Sequence, residues 1–217
     1  MAEALLAELD LTGVTVTGDA QFCQRTLSQQ VVAAGGAYFW TVKENQHRLL
    51  DALVTLFTLE PPPGVSCAVA VQRGRHGDRQ EHRTLRASTL LNDYLEWPHV
   101  AQVCTIERVV TRKGRTTREI GYAITSLRPD QADAARLAAL WRGHWSIENR
   151  LHWVRDVTFD EDRSQIRTGH APHVVAALRN TAISILRRAG HTNIAAALRT
   201  YAAKPREVLA LAGLIQL

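Results

Sequence analysis

Apolar positions along the chain change period several times. Leu5, Leu6 and Leu9 share a helical face within residues 3–11. After Gly13 the period becomes two: GVTVTGD alternates Val14 and Val16 with threonines, which predicts a strand ending at Gly18 and Asp19. AQFCQRTLSQQVVAA, residues 20–34, reads as helix stopped by Gly35 and Gly36. AYFWTVKENQ returns to strand through Tyr38, Phe39, Trp40 and Val42, the aromatic and branched side chains that strands favour. Helix resumes from about Gln46 to Leu56. This alternation is that of an α/β layer. Two strands are too few for a sheet, which usually needs about four or more. Either later strands join this sheet, or part of it lies outside the chain. A helix at residue 3, directly before a buried-looking strand, predicts that the chain begins in the middle of a domain.

Pro61-Pro62-Pro63-Gly64 marks the clearest boundary. Beyond it, residues 65 to about 127 read as strands and turns rich in arginine, with a hairpin around Lys113-Gly114. From Pro129 the pattern is helical, with Asp130 as the expected N-cap. Residues 173–188, HVVAALRNTAISILRR, form an amphipathic helix closed by Gly190. The expected organisation is therefore 1–60 as an α/β part, 65–127 as a β-rich basic insertion, 128–190 as a helical return and 191–217 as a helical tail.

Charge adds a direction to this picture. A formal net charge of +5 and a pI near 9.5 favour a polyanionic partner. Arg73, Arg75, Arg79, Arg83, Arg86, Arg112, Lys113, Arg115 and Arg118 crowd two hairpin-like segments of the β-rich stretch. Exposed arginines often only solvate a strand face, but two basic hairpins together point to nucleic-acid backbone contact. Cys23, Cys67 and Cys104 are odd in number and far apart, which fits neither a zinc pattern nor a disulfide framework and suits a reducing cytoplasm. The acidic start lacks a basic leader, and no apolar run approaches the roughly 18 residues of a membrane span.

Candidate chemistry gathers in Trp141–Arg167. His144, Glu148 and His152 fall four residues apart, with Trp141, Trp145 and Arg155 alongside, so one carboxylate is framed by imidazoles, indoles and a guanidinium. The ordinary reading is an exposed acid paired with Arg155 or His144, worth under about 1 kcal/mol. A zinc site through His144, Glu148 and His152 is disfavoured, because four-residue steps turn about 40° each and splay the three groups. Asp19 stands at the carboxyl end of a strand, where α/β layers place ligands; its ordinary reading is an N-cap. Two carboxylates from distant elements beside a basic unit would suit divalent-metal phosphoryl chemistry.

GHWSIENRLHWVRDVTFDEDRSQIRTGHAPHVVAALRN closely resembles the carboxyl-terminal block of insertion-sequence transposases of the H-repeat-associated branch. VTVTGDAQFCQR followed by GGAYFWTVKENQ is similar to the block around that family's second catalytic aspartate. The resemblance implies a DDE transposase, which cleaves and transfers DNA strands, with an RNase H-like core. It implies Asp19 as the second acid and Glu148 as the terminal one, together holding Mg²⁺ or Mn²⁺. Trp141, His144, Glu148 and Arg155 occupy the places of a Tyr-Arg-Glu-Lys signature, keeping its character while three identities differ. His144 and Arg155 would contact DNA phosphates, with Arg112, Lys113 and Arg115 as further DNA contacts. Trp141 would stack on an unpaired or flipped base or pack against the sheet. Double-stranded DNA is the implied partner, at element ends and target, with a homodimer as a candidate assembly and no membrane. The first aspartate belongs on an earlier strand, and no residue before Asp19 replaces it. The expectation is a mixed α/β protein with a partial RNase H-like core, a truncated and inactive copy of the enzyme or a non-catalytic DNA-binding remnant.

Overall fold

Strands β1 (Thr15–Gly18) and β2 (Ala37–Val42) run parallel, joined through helix α2 (Arg25–Ala33). Parallel neighbours need such a crossover, which explains why helix stands between the two β-period stretches. A short helix α1 (Ala2–Ala7) precedes them, and α3 (His47–Thr58) follows. The computed structural model describes residues 2–59, 67–147 and 153–213. They divide into two compact units, residues 1–144 and 145–217.

The first unit is built on one mixed sheet of six strands, ordered β1-β2-β6-β5-β4-β3. The arginine-rich stretch supplies β3 (Ala68–His76), β4 (Arg79–Ser88), β5 (Gln102–Arg112) and β6 (Arg115–Thr125), all antiparallel. Strand β6 pairs antiparallel with β2, placing Phe39 opposite Thr125 and Val42 opposite Tyr122. Of the two alternatives left by the short α/β pattern, later strands do join the sheet. The joint is legible in β2 itself: Phe39, Trp40 and Thr41 are all buried, which requires cover on both faces. The expected hairpin is present, with Lys113 (φ 49) and Gly114 (φ 75) in the left-handed positions of a type I′ turn between Arg112 and Arg115.

Side chains of opposed residues share a sheet face, so the register sorts the sheet. One face, carrying Tyr38, Trp40, Val42, Val103 and Ile124, packs against α2 and α3 through Val31, Leu49 and Leu53. On it the buried Ser28 hydroxyl accepts from Trp40 Nε1 at 3.0 Å and Trp97 Nε1 at 3.1 Å, and donates to the Gln24 carbonyl at 2.8 Å. The other face, with Phe39, Ala87, Cys104, Ile106 and Ala123, packs under α4 (Ala134–Ile147) through Leu137, Ala138 and Trp141. Asp133, rather than the expected Asp130, begins this helix: its carboxylate accepts the Arg136 N–H at 2.7 Å. Asp130 is instead forked by Arg128 at 3.1 and 3.0 Å in the preceding turn.

The second unit contains a π-helical turn (Val154–Thr158), α5 (Ala171–Arg188), α6 (Ile194–Ala202) and α7 (Pro205–Leu211). Val154, Ile183, Leu186, Ile194 and Ala197 make its core. Asn193 caps α6 by accepting the Ala196 N–H at 2.9 Å. Among the described residues no helix is long and apolar enough to cross a membrane.

Candidate functional site

Asp19 is the first residue past β1, and Lys43 the first past β2. Parallel pairing brings these two strand ends together, and Lys43 Nζ stands 3.2 Å from Asp19 Oδ1. The same oxygen accepts the Ala20 N–H at 2.7 Å and the Thr41 hydroxyl at 3.1 Å. Asp19 thus also caps the 3₁₀ turn Ala20–Phe22. That turn is held from the far side: Asn45 Nδ2 donates to the Ala20 carbonyl at 2.8 Å, and Gln46 Nε2 to the Cys23 carbonyl at 3.0 Å. The segment after β2, Lys43 to Gln46, therefore fixes the segment after β1. Neither Lys43, Asn45 nor Gln46 stood out in the sequence, because their partners lie more than 20 residues away.

Partial burial pushes the Asp19 carboxyl up, but the Ala20 N–H, the Lys43 ammonium and the Thr41 hydroxyl outweigh it and hold the group below the usual carboxylate range. Its side chain is 48% exposed. Every bond to Asp19 among the described residues falls on Oδ1, which leaves Oδ2 the unengaged oxygen of a hard, ionised, half-exposed carboxylate. That is the donor a small divalent cation takes, together with water and substrate phosphate. Among the described residues no three acids, histidines or cysteines stand close enough to hold a metal by themselves. The buried thiols offer no rival chemistry: burial pushes Cys23 up to about 12 and raises Cys104 as well.

Helix α4 brings the second set of expected residues over the same strand ends. His144 Nδ1 lies 3.4 Å from Thr17 Oγ1, two residues before Asp19. Trp141, one turn earlier, is only 6% exposed and meets the Phe39 ring edge-on at 5.6 Å between centroids. Its indole lies over Gly121, where an added Cβ would sit 2.8 Å from Trp141 Cζ2. Of the two roles considered for Trp141, this geometry supplies packing, and no face of the ring is left for a base. Glu148 and His152, with the zinc reading built on them, lie outside the described residues. In the second unit Arg155 forks Glu161 at 2.5 and 2.6 Å, and Arg179 approaches the same carboxylate at 3.7 Å. Arg155 is therefore already neutralised by a neighbour.

The basic side chains of the sheet divide by face. Arg79, Arg112 and Arg115 are cross-strand neighbours in one row, followed on the same face by Glu81, Val110 and Thr117, then Arg83, Arg108 and Glu119. This is the face that α4 covers farther along. Glu81 receives Arg83 at 2.8 Å, Arg79 at 3.6 Å and Arg108 in a short hydrogen bond. Arg108 also reaches Glu119 at 2.7 Å. On the opposite face Arg118 is hydrogen-bonded to Glu107. Arg86 donates to the Phe57 carbonyl at 3.0 Å and lies 5.4 Å over that ring.

A family model described as Transposase DDE domain matches residues 1–185. The protein YbfL of Escherichia coli (strain K12) is 30% identical over 190 residues, covering 84% of this chain and 50% of its own. YhhI of the same strain, named among H repeat-associated transposases, matches with the same identity and coverage. YncI of Escherichia coli O157:H7, also named as a transposase, is 30% identical over 191 residues, 84% of this chain and 48% of its own. The chain thus spans about half the length of the curated relatives it matches. Among solved structures, a sugar N-methyltransferase from Streptoalloteichus sp. ATCC 53650 is 15% identical with a TM-score of 0.26, covering 62% of this chain and 51% of its own. A likeness that low carries no argument about the fold.

Proposed function

The chain belongs to the transposase DDE domain family, and from that premise we propose that its residues form part of an insertion-sequence transposase, with Asp19 as the second catalytic acid and Glu148 as the terminal one. The carrying observation is the state of Asp19: ionised, half-exposed, held through one oxygen and free at the other, at the carboxyl end of a parallel strand. On this reading the sheet around β1 and β2 is part of an RNase H-like core. The family normally uses a divalent metal, which supplies Lewis-acid stabilisation of the attacking and leaving oxygens. Asp19 Oδ2 and Glu148 would be its ligands from this chain. Water opens a phosphodiester at the element's end, releasing a 3′-hydroxyl; that hydroxyl then attacks a target phosphodiester, making one bond and breaking one.

Lys43 and the Ala20 N–H keep Asp19 charged and aimed, so that little reorganisation is left for the reaction. His144, above Thr17, faces the same strand ends and suits a phosphate contact near the scissile bond.

A second reading, a DNA-binding remnant without catalysis, has its own support. The acids of residues 2–18 are Glu3, Glu8 and Asp10, on α1 or in the loop before β1, and Asp10 is taken up by the Thr12 N–H at 2.9 Å. None of these three stands on a strand beside Asp19, so no acid of residues 2–18 takes the place of a third catalytic carboxylate. The purified 217-residue chain, incubated with labelled element-end duplex and Mg²⁺, is expected to bind without cutting. Robust Mg²⁺-dependent cleavage, lost in Asp19→Asn and Glu148→Gln, would refute the remnant reading and leave the catalytic one. Cleavage that survives both substitutions would refute the assignment of the acids.

A further inference from the structure

The nine arginines of strands β3 to β6 are not equivalent, and their pairing separates them. Glu81, at 16% side-chain exposure, is the hub for Arg83 and Arg108. Those two are committed to an internal ion network and have little charge left to offer a partner. Arg118 and Arg86 are committed as well, on the other face. The next row is different. Arg112 reaches an acid only at 3.8 Å, Asp78 in the adjoining turn. Arg79 touches Glu81 only at 3.6 Å through Nη2, and its buried Nε has no hydrogen-bond partner. Arg115 makes no ion pair among the described residues.

We propose that Arg79, Arg112 and Arg115 form a three-strand clamp for the sugar-phosphate backbone of duplex DNA, on the face of the sheet that carries Asp19's strand end and α4. The inference rests on the transposase reading and sharpens it to one face and one row. Together with Arg108, Val110, Thr117 and Glu119 the three line a shallow groove of about 360 Å³. Adjacent strands are about 4.8 Å apart, so the row spans about 10 Å. One DNA strand carries a phosphate per about 3.4 Å of helix axis, so a duplex crossing the strands would set successive phosphates of one strand against this row. Each guanidinium can fork a phosphate. Lys113, at the tip of the type I′ turn, extends the row beyond the sheet.

Register ties the clamp to the candidate site. Arg112 and Arg115 share their face with Ile106 and Gly121, hence with Trp141, and through β6 and β2 with Thr41, which bonds Asp19. The clamp and the strand end that carries Asp19 thus open on the same face of the sheet. Arg73 and Arg75, near the end of edge strand β3, share the opposite face with Arg118.

The test compares two charge-matched double variants of the full 217-residue chain. Binding of a fluorescein-labelled 30-base-pair duplex is followed by anisotropy in a salt series from about 50 to 200 mM, with circular dichroism melts as the folding control. Arg79→Ala with Arg115→Ala is expected to weaken binding at least tenfold. It should also make the slope of log affinity against log salt shallower by about two, at about 0.9 per phosphate contact. Arg73→Ala with Arg75→Ala is expected to change affinity less than threefold and to leave the slope within half a unit. Equal losses in the two doubles would overturn the clamp while leaving DNA binding intact. Absence of duplex binding by the unaltered chain at 50 mM salt would overturn the DNA-binding reading and the clamp together. If the first double melts early, Arg79→Lys with Arg115→Lys replaces it: charge kept and forks lost predicts a threefold or greater loss, and unchanged affinity counts against the clamp.

Discussion

Lys43 Nζ lies 3.2 Å from Asp19 Oδ1, each residue being the first beyond one of two parallel strands. The pair joins two strand ends that α2 separates in sequence, and it holds the candidate acid ionised. Lys43→Met is expected to move the Asp19 carboxyl back toward its ordinary value, measured by NMR titration of the ¹³C-labelled side chain. Both groups are well exposed, so stability should change by under about 1 kcal/mol. No upward movement would mean that the Ala20 N–H and Thr41 alone hold the acid.

Gly121 is where the sheet admits Trp141. A methyl group there meets Cζ2 at 2.8 Å, and the buried indole also packs against the Phe39 ring. Gly121→Ala is expected to destabilise the first unit by about 1–3 kcal/mol in urea unfolding. Trp141→Ala should cost about 3–5 kcal/mol. If Trp141→Ala left stability unchanged while abolishing DNA binding, the packing role argued above would be wrong.

Ser28 offers a single hydroxyl oxygen to two buried indole N–H groups. Ser28→Ala leaves both donors without an acceptor, at about 1–3 kcal/mol for each orphaned group. Ser28→Thr keeps the oxygen. An alanine variant as stable as the threonine one would show that the indoles find other partners.

Glu81 sets a pH dependence whose sign is determined. Burial pushes its carboxyl up, but the Arg108 hydrogen bond and the charges of Arg83, Arg108 and Arg79 outweigh it, so the folded value lies below the unfolded one. Its stabilisation is therefore present above the unfolded value and lost as pH falls through the folded value. Removing it leaves Arg83 without that acid, opposite Arg108, which keeps Glu119. Thermal unfolding between pH 7 and pH 3 should show an acid-side loss of stability that is smaller in Glu81→Gln, which has lost that contribution already at pH 7. An identical pH profile in the variant would exclude Glu81 as a contributor.

Local chemistry made much of this molecule readable. Val14 and Val16 announce β1, Lys113-Gly114 announces a turn that needs two positive φ values, and Gly35-Gly36 stops α2, because each effect involves neighbours within a few residues. Asp19 was legible by its place at a strand end. Its partners were not: Lys43 and Thr41 meet it only after β2 is laid parallel to β1. Asp133 caps the helix and Asp130 does not, although both are acids before a helical run, because the choice depends on where the chain turns after β6.

The sequence by itself determined the periods, the hairpins, the basic character of four strands and the family resemblance, all properties of short stretches. Tertiary structure decided that those strands extend the same sheet as β1 and β2, that α4 covers one face, and that the arginines divide between two faces. The reason is physical. A strand's period says that it has two faces, but which neighbour it pairs with depends on burying both sides of β2 at once. That pairing sets the register, and the register alone puts Arg79, Arg112 and Arg115 in one row and commits Arg83 and Arg108 to Glu81.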